Sequence, residues 1–239
     1  MAVDGFEIAK VGAGFVVSYI GNQQQAAALA AQMSEQLKTN NAAILTGVAQ
    51  LLKQTFSQNK LDQCNNMVET LATFMDEYNV NPNDQAKLIA VDQKSGELLE
   101  VLDDSDIAVA GIANWMITAD IRILALQEKA KIFPADLTNA KNRANDYSAY
   151  VDGMKSKVFS GIESRFSAVT NFSLPQPGEI AIGNRPILWG YFIDNTDVSG
   201  FGTEAQATDD RDEQIKIMAD PPIAKMKEIV EKWKQFASS

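Results

Sequence analysis

Residues Ile107–Leu126 read IAVAGIANWMITADIRILAL, and the fold turns on them. The stretch from Ile107 to Ala119 carries no charge, and its apolar side chains do not keep to one face. A helix that is apolar all round has to be enclosed by other helices or by lipid. Ile107, Val109, Ile112, Trp115, Ile117, Ile121 and Leu124 are the candidate residues of this central, or membrane-inserting, helix. Asp120 and Arg122 interrupt the run, which makes a constitutive transmembrane span a poor reading. Three placements suit that pair: the emerging end of a bundle, polar partners inside a core, or the wet lumen of an inserted form.

The flanking sequence is helical in texture. Leu61, Cys64, Val68, Leu71, Met75 and Tyr78 are spaced 3, 4, 3, 4, 3, a heptad seam facing a neighbour over Lys60–Tyr78. Asn79-Val80-Asn81-Pro82-Asn83 is a turn, and Asp84–Val101 is the next helix, with Leu88, Val91, Ser95, Leu98 and Leu99 on its apolar side. Asp103-Asp104-Ser105-Asp106 offers N-cap side chains to the central helix, which Phe133-Pro134 ends or kinks into the next. From Ala135 to Ala168 apolar positions recur in heptad phase through Leu137, Ala140, Ala144, Tyr147, Val151, Met154 and Val158. A helix of that length spans roughly 50 Å and calls for long antiparallel neighbours. Upstream, Glu7–Ile20 is a short apolar helix, and Gln23–Gln58 is a longer one that Thr39-Asn40-Asn41 bends or breaks.

After Thr170 the texture changes. Leu174-Pro175-Gln176-Pro177-Gly178 is a turn, and Glu179–Ile193 (EIAIGNRPILWGYFI) reads as a small β-hairpin or extended strand pair around Gly183–Pro186. Asp194–Asp210 is polar and glycine-bearing, a loop; Arg211–Ala219 is a short helix. Pro221-Pro222 opens a final helix with Ile223, Met226, Ile229, Val230, Trp233 and Phe236 on one face. Trp189, Tyr191, Phe192 and Phe201 gather in the non-helical part and are candidate recognition aromatics, with packing on the bundle as the plainer account.

Composition narrows the functions. Hydrophobic residues are 46% of the chain, enough for one sizeable core. The net charge of -10 repels phosphate backbones, so nucleic acid is not an expected partner. The same charge opposes anionic membranes but leaves neutral lipid, a receptor or another protein open. With no histidine, the commonest general base and zinc ligand is missing. The lone Cys64 sits in an apolar seam and reads as a buried thiol. Asp103, Asp104 and Asp106 lack the spacing of a calcium loop; Asp209, Asp210, Asp212 and Glu213 form a solvated acidic run. Gly12-Ala13-Gly14 has no strand–helix context for a dinucleotide. No metal, cofactor or catalytic set is expected, and the chain is read as a non-enzyme. Val11–Ile20 lacks the positive flank of a secretory signal, so synthesis as a soluble protein is expected.

The order of Asp84–Phe166 resembles the N-terminal helical domain of the three-domain insecticidal delta-endotoxins and related helical pore-forming proteins. ANWMITADIRILALQEKAKIF (Ala113–Phe133) resembles their hydrophobic central helix, and NDYSAYVDGMKSKVFSGIESRF (Asn145–Phe166) the amphipathic helix after it. EIAKVGAGFVVSYI (Glu7–Ile20) is similar to their short first helix. The resemblance covers about residues 1–170 and implies a hairpin of Asp84–Val101 with Ile107–Phe133 as the inserting unit. Those toxins continue into two large β-rich receptor-binding domains, for which the remainder of this chain is too short.

The expectation is therefore an all-α chain: an elongated multi-helix bundle around a central apolar helix, with a small C-terminal β-hairpin or extended segment. One domain is expected over residues 1–239, with a helical core over 1–172 and the extended segment and terminal helix over 173–239. Two functions fit: a pore-forming or membrane-perturbing protein acting on a target membrane or membrane receptor, or a helical interaction protein acting through a partner face or a homo-oligomer.

Overall fold

A computed structural model describes residues 26, 28–39, 41, 58–103, 111–172, 188–194 and 196–239. The fold is an all-α bundle with a small antiparallel sheet. Six helices are described: α1 over 28–39, α2 Gln58–Val80, α3 Gln85–Leu102, α4 Ile112–Ala130, α5 Ala135–Glu163 and α6 Glu204–Ser238. The strands are β1 Thr170–Phe172, β2 Leu188–Ile193 and β3 Thr196–Phe201. The chain divides into two units, Met1–Met154 with Ala224–Ser239, and Lys155–Ile223. Both α5 and α6 run across that division.

In the larger unit the heptad seams become buried faces. Cys64, Val68, Leu71, Met75 and Tyr78 of α2 are all inside, as are Leu88, Val91, Ser95, Leu98 and Leu99 of α3. Ala140, Ala144, Tyr147 and Val151 do the same for α5. Each such face removes apolar surface from water at about 25 cal/mol per Å2, which is what holds amphipathic helices together. From α1, Met33 and Leu37 are inside. Asp84 caps α3: its carboxylate accepts from the amides of Ala86 (3.0 Å) and Lys87 (3.2 Å). Asp84→Ala is expected to lower stability by about 1 kcal/mol in urea denaturation, because those two amides lose their acceptor.

The caps of α4 differ from the sequence reading. Its N-cap is Gly111, with no side-chain cap bond, and Asp103 instead ends α3 by donating its backbone N–H to Leu99. Asp104, Ser105 and Asp106 lie outside the described residues, as do Glu7–Ile20, the 42–57 part of the second expected helix, and Ile107 and Val109.

In the smaller unit the sheet order is β1-β2-β3, antiparallel throughout. The hairpin lies one step later than expected. It joins Leu188–Ile193 to Thr196–Phe201, a segment read as loop, while Glu179–Pro186 lies outside the described residues. Its turn begins at Asp194, whose φ of 50° is a left-handed conformation that short polar side chains tolerate. Arg165 holds that turn by donating from Nε to both carboxylate oxygens of Asp194, each at 3.0 Å.

The second departure is α6. Residues 204–210 are helix, not loop, and Pro221 and Pro222 lie inside a continuous helix instead of opening one. Prolines remove two N–H donors from the ladder. The helix persists because Ile215, Ala219, Pro222, Met226, Val230 and Trp233 continue one buried stripe at spacings of 4, 3, 4, 4 and 3 through the interruption.

Candidate functional site

The centre of the larger unit is α4. Ile112, Trp115, Ile117, Ile121 and Leu124, five of the candidate central-helix residues, are all buried. So are Asn114, Thr118, Asp120, Gln127 and Glu128, so this helix carries polar groups into the interior as well. Asp120 is buried with a polar partner inside the bundle, and Arg122 is half-buried against Asp92.

Arg122 and Lys129 lie on the side of α4 that meets α3. Asp92 of α3 takes both: Arg122 Nε donates at 3.2 Å and Lys129 Nζ at 2.7 Å. Gly96 makes room, since a Cβ there would come within 3.0 Å of the Arg122 guanidinium. Further along the helix, Asn114 donates to Asn41 (3.4 Å), which donates to Asn65 on α2 (2.8 Å).

Asp120 has a different setting. It is only 5% exposed, and the indole N–H of Trp233, on the last turns of α6, donates to its Oδ1 at 2.6 Å. Trp233 itself belongs to an aromatic cluster: Trp115 stacks on Tyr150 (4.1 Å between centroids) and meets Tyr147 edge-on (5.3 Å), and Trp233 meets both Trp115 (6.5 Å) and Tyr147 (6.0 Å). Burial pushes the Asp120 carboxyl up to about 7, against the Trp233 hydrogen bond and the positive charge of Lys232, which pull it down. A carboxyl that changes charge near neutrality is the most chemically distinctive group among the described residues. Its hydrogen-bond donor is a neutral indole, an arrangement suited to holding and releasing one proton.

The expected recognition aromatics are in the smaller unit and do not share one exposed face. Tyr191 is fully buried; its hydroxyl donates to Asp210 at 2.6 Å, and its ring lies near Phe166 and Phe201. Trp189 and Phe201 are half-buried, and Phe192 is 37% exposed. Of the acidic run, Asp210 receives Tyr191, and Arg211 donates to the Ser167 carbonyl (3.0 Å) and to Asp212. Among the described residues, no three metal-ligating side chains come together. A groove of about 590 Å3 between α2 and α3 is lined by Asp62, Met67, Glu97 and Glu100 with their neighbours.

A feature that the sequence reading did not single out is an apolar end of the larger unit. Lys129 bridges to Asp92, and Tyr78 donates to Glu128 (3.4 Å), so the α2–α3 and α4–α5 turns share one end. Val80, Ile89, Ile132 and Phe133 stand there with 85%, 41%, 44% and 53% exposure. They are the exposed large hydrophobics described in this unit; Phe159, Phe192 and Ile217 belong to the other. The charges at this end pair with one another: Lys87 with Glu77, Lys131 with Glu128, Lys129 with Asp136 at 3.8 Å.

No protein-family model matches this chain, and neither the curated proteins nor the solved structures contain a significant match.

Proposed function

We propose that this chain is a non-enzymatic helical-bundle protein that acts at membranes, engaging a lipid interface with the end formed by Val80, Ile89, Ile132 and Phe133. The exposure of Val80, Ile132 and Phe133 at two turns of this end, with Ile89 on the second turn of α3, carries this reading. Side chains borne on turns can enter the headgroup layer without unfolding the helices behind them, and each gains by leaving water. The charge setting suits zwitterionic lipid, since the local ions are paired and a net charge of -10 disfavours an anionic surface. The likeness of Ala113–Phe133 and Asn145–Phe166 to helical pore-forming domains points the same way.

Surface association costs less than insertion. Among the described residues no helix is long and apolar enough to cross a membrane. Carrying α4 into lipid would take Asp120, Arg122, Glu128 and Lys129 with it, at several kcal/mol per uncompensated charge. The same apolar end also fits a second copy of the chain across a two-fold axis, which is the competing reading.

Flotation with phosphatidylcholine vesicles separates the two. The wild-type chain is expected to float, and the double variant Val80→Asp/Phe133→Asp to stay behind while keeping its melting temperature, since both sites are exposed. A wild-type chain that ignores vesicles and scatters light as a dimer, dissociated by the same variant, replaces the membrane reading with self-association.

A further inference from the structure

We propose that the last turns of α6, from Ala224 to Ser238, are a latch on α4 whose seating is set by whether the Asp120 carboxyl carries a proton. The latch is built on one long-range pair. Trp233 is fully buried, and its indole N–H, which can only donate, ends on Asp120 at 2.6 Å. The bond can be made to the neutral acid or to the carboxylate. The difference between the two forms is the charge that must then sit in the interior beside the Trp233 indole.

The surrounding ions are largely committed elsewhere. From α6, Lys232 acts on Asp120 by its charge but also pairs with Glu228 at 2.8 Å. Lys234, on the same helix, pairs with Asp152 of α5 at 2.9 Å on an exposed rim. From α5, the Tyr147 hydroxyl faces Arg122. On α4 itself Arg122 is held by Asp92 of α3, and Glu128 by Lys131 and by Tyr78 of α2. The buried charge is thus left with an indole dipole and one shared lysine.

Burial places the ionisation of Asp120 at about 7, so the charged form becomes populated across the neutral range. A segment of one helix can open locally and readmit water while the rest of the bundle stays packed. Acid therefore seats the latch and alkali loosens it. This direction is opposite to that of a salt-bridged carboxylate, which acid would release.

Hydrogen–deuterium exchange on the full chain reads the latch directly. The measure is protection of amides 224–238 relative to amides 135–150 of α5, corrected for intrinsic rates. Between about pH 5.5 and about pH 8.5 the wild-type ratio is expected to fall about tenfold. Asp120→Asn, which keeps the acceptor for Trp233 and has no proton to lose, is expected to hold the ratio flat. Trp233→Phe removes a bond that favours the carboxylate, so its fall is expected to persist with a midpoint at higher pH. A constant ratio in the wild type, a fall retained in Asp120→Asn, or an unmoved midpoint in Trp233→Phe would each overturn the latch. Vesicle binding does not enter this measurement, so its outcome is independent of the membrane reading.

Discussion

Asp120→Asn is expected to stabilise the protein at pH 8 by about 2 kcal/mol or more, and to lower its stability by about 1 kcal/mol near pH 4, where the cost of the buried amide outweighs the gain. The sign follows from proton linkage. Unfolded, this carboxyl titrates at its ordinary value of 3.8; folded, burial raises it to about 7. Between those values the folded state binds more protons than the unfolded one, so stability falls as pH rises. Above pH 7 both states are ionised, and the full cost of the buried charge remains, about 4 kcal/mol at the stated shift. Asparagine removes that charge and can still accept from Trp233 Nε1. Its amide N–H2 has to find acceptors in the same buried position, which returns about 1–2 kcal/mol of the gain. Urea denaturation of both proteins from pH 4 to pH 9 measures the difference. Curves that stay parallel across that range would sink the assignment of the titration to Asp120.

Asp92→Ala is expected to act in the other direction and at every neutral pH, lowering stability by about 3 kcal/mol. The carboxylate ties α3 to α4, taking Arg122 and Lys129 together where all three side chains are mostly shielded from water. Its removal leaves the Arg122 guanidinium beside Tyr147 without an anion, and leaves Lys129 only the longer contact to Asp136. The loss comes chiefly from stranded cations and not from the pair's own worth. Asp92→Ala combined with Arg122→Met is therefore expected to recover part of it. If the double variant is no more stable than the single one, stranding is not the cause.

The sequence was most legible where burial has a period. The α2 seam from Cys64 to Tyr78 and the α5 seam from Ala140 to Val158 are in the structure as spaced, because each helix buries one stripe whatever its partner is. Legibility failed where a partner decides. The β3 segment TDVSGF carries little apolar alternation, and it is a strand because β2 supplies its hydrogen bonds. The start of α6 was marked: Thr203 accepts the Gln206 amide at 3.2 Å, and Thr-x-x-Gln is a helix-start signature. The glycines and acids around it point to a loop instead. Pro221-Pro222 by its local rule opens a helix, although the stripe from Ile215 to Trp233 runs through it in phase.

The sites themselves were the least legible part. Asp120 stood out as a charge in an apolar run, but its partner lies 113 positions away, and no spacing rule reaches that far. Val80, Ile89, Ile132 and Phe133 each look ordinary in sequence, as single apolar residues near turns. Only the antiparallel return of α4 along α3 brings them to one end.

Cys64 gives this molecule its own strain gauge. It is the only thiol in the chain, buried in the α2 seam 3.9 Å from the Asn41 side-chain oxygen, and burial pushes it up to about 11. A thiol-directed dye can meet it only when α2 stands away from its neighbours. The labelling rate, set against that of a small-molecule thiol, then counts how often the closed bundle opens, with no reporter added and no residue changed.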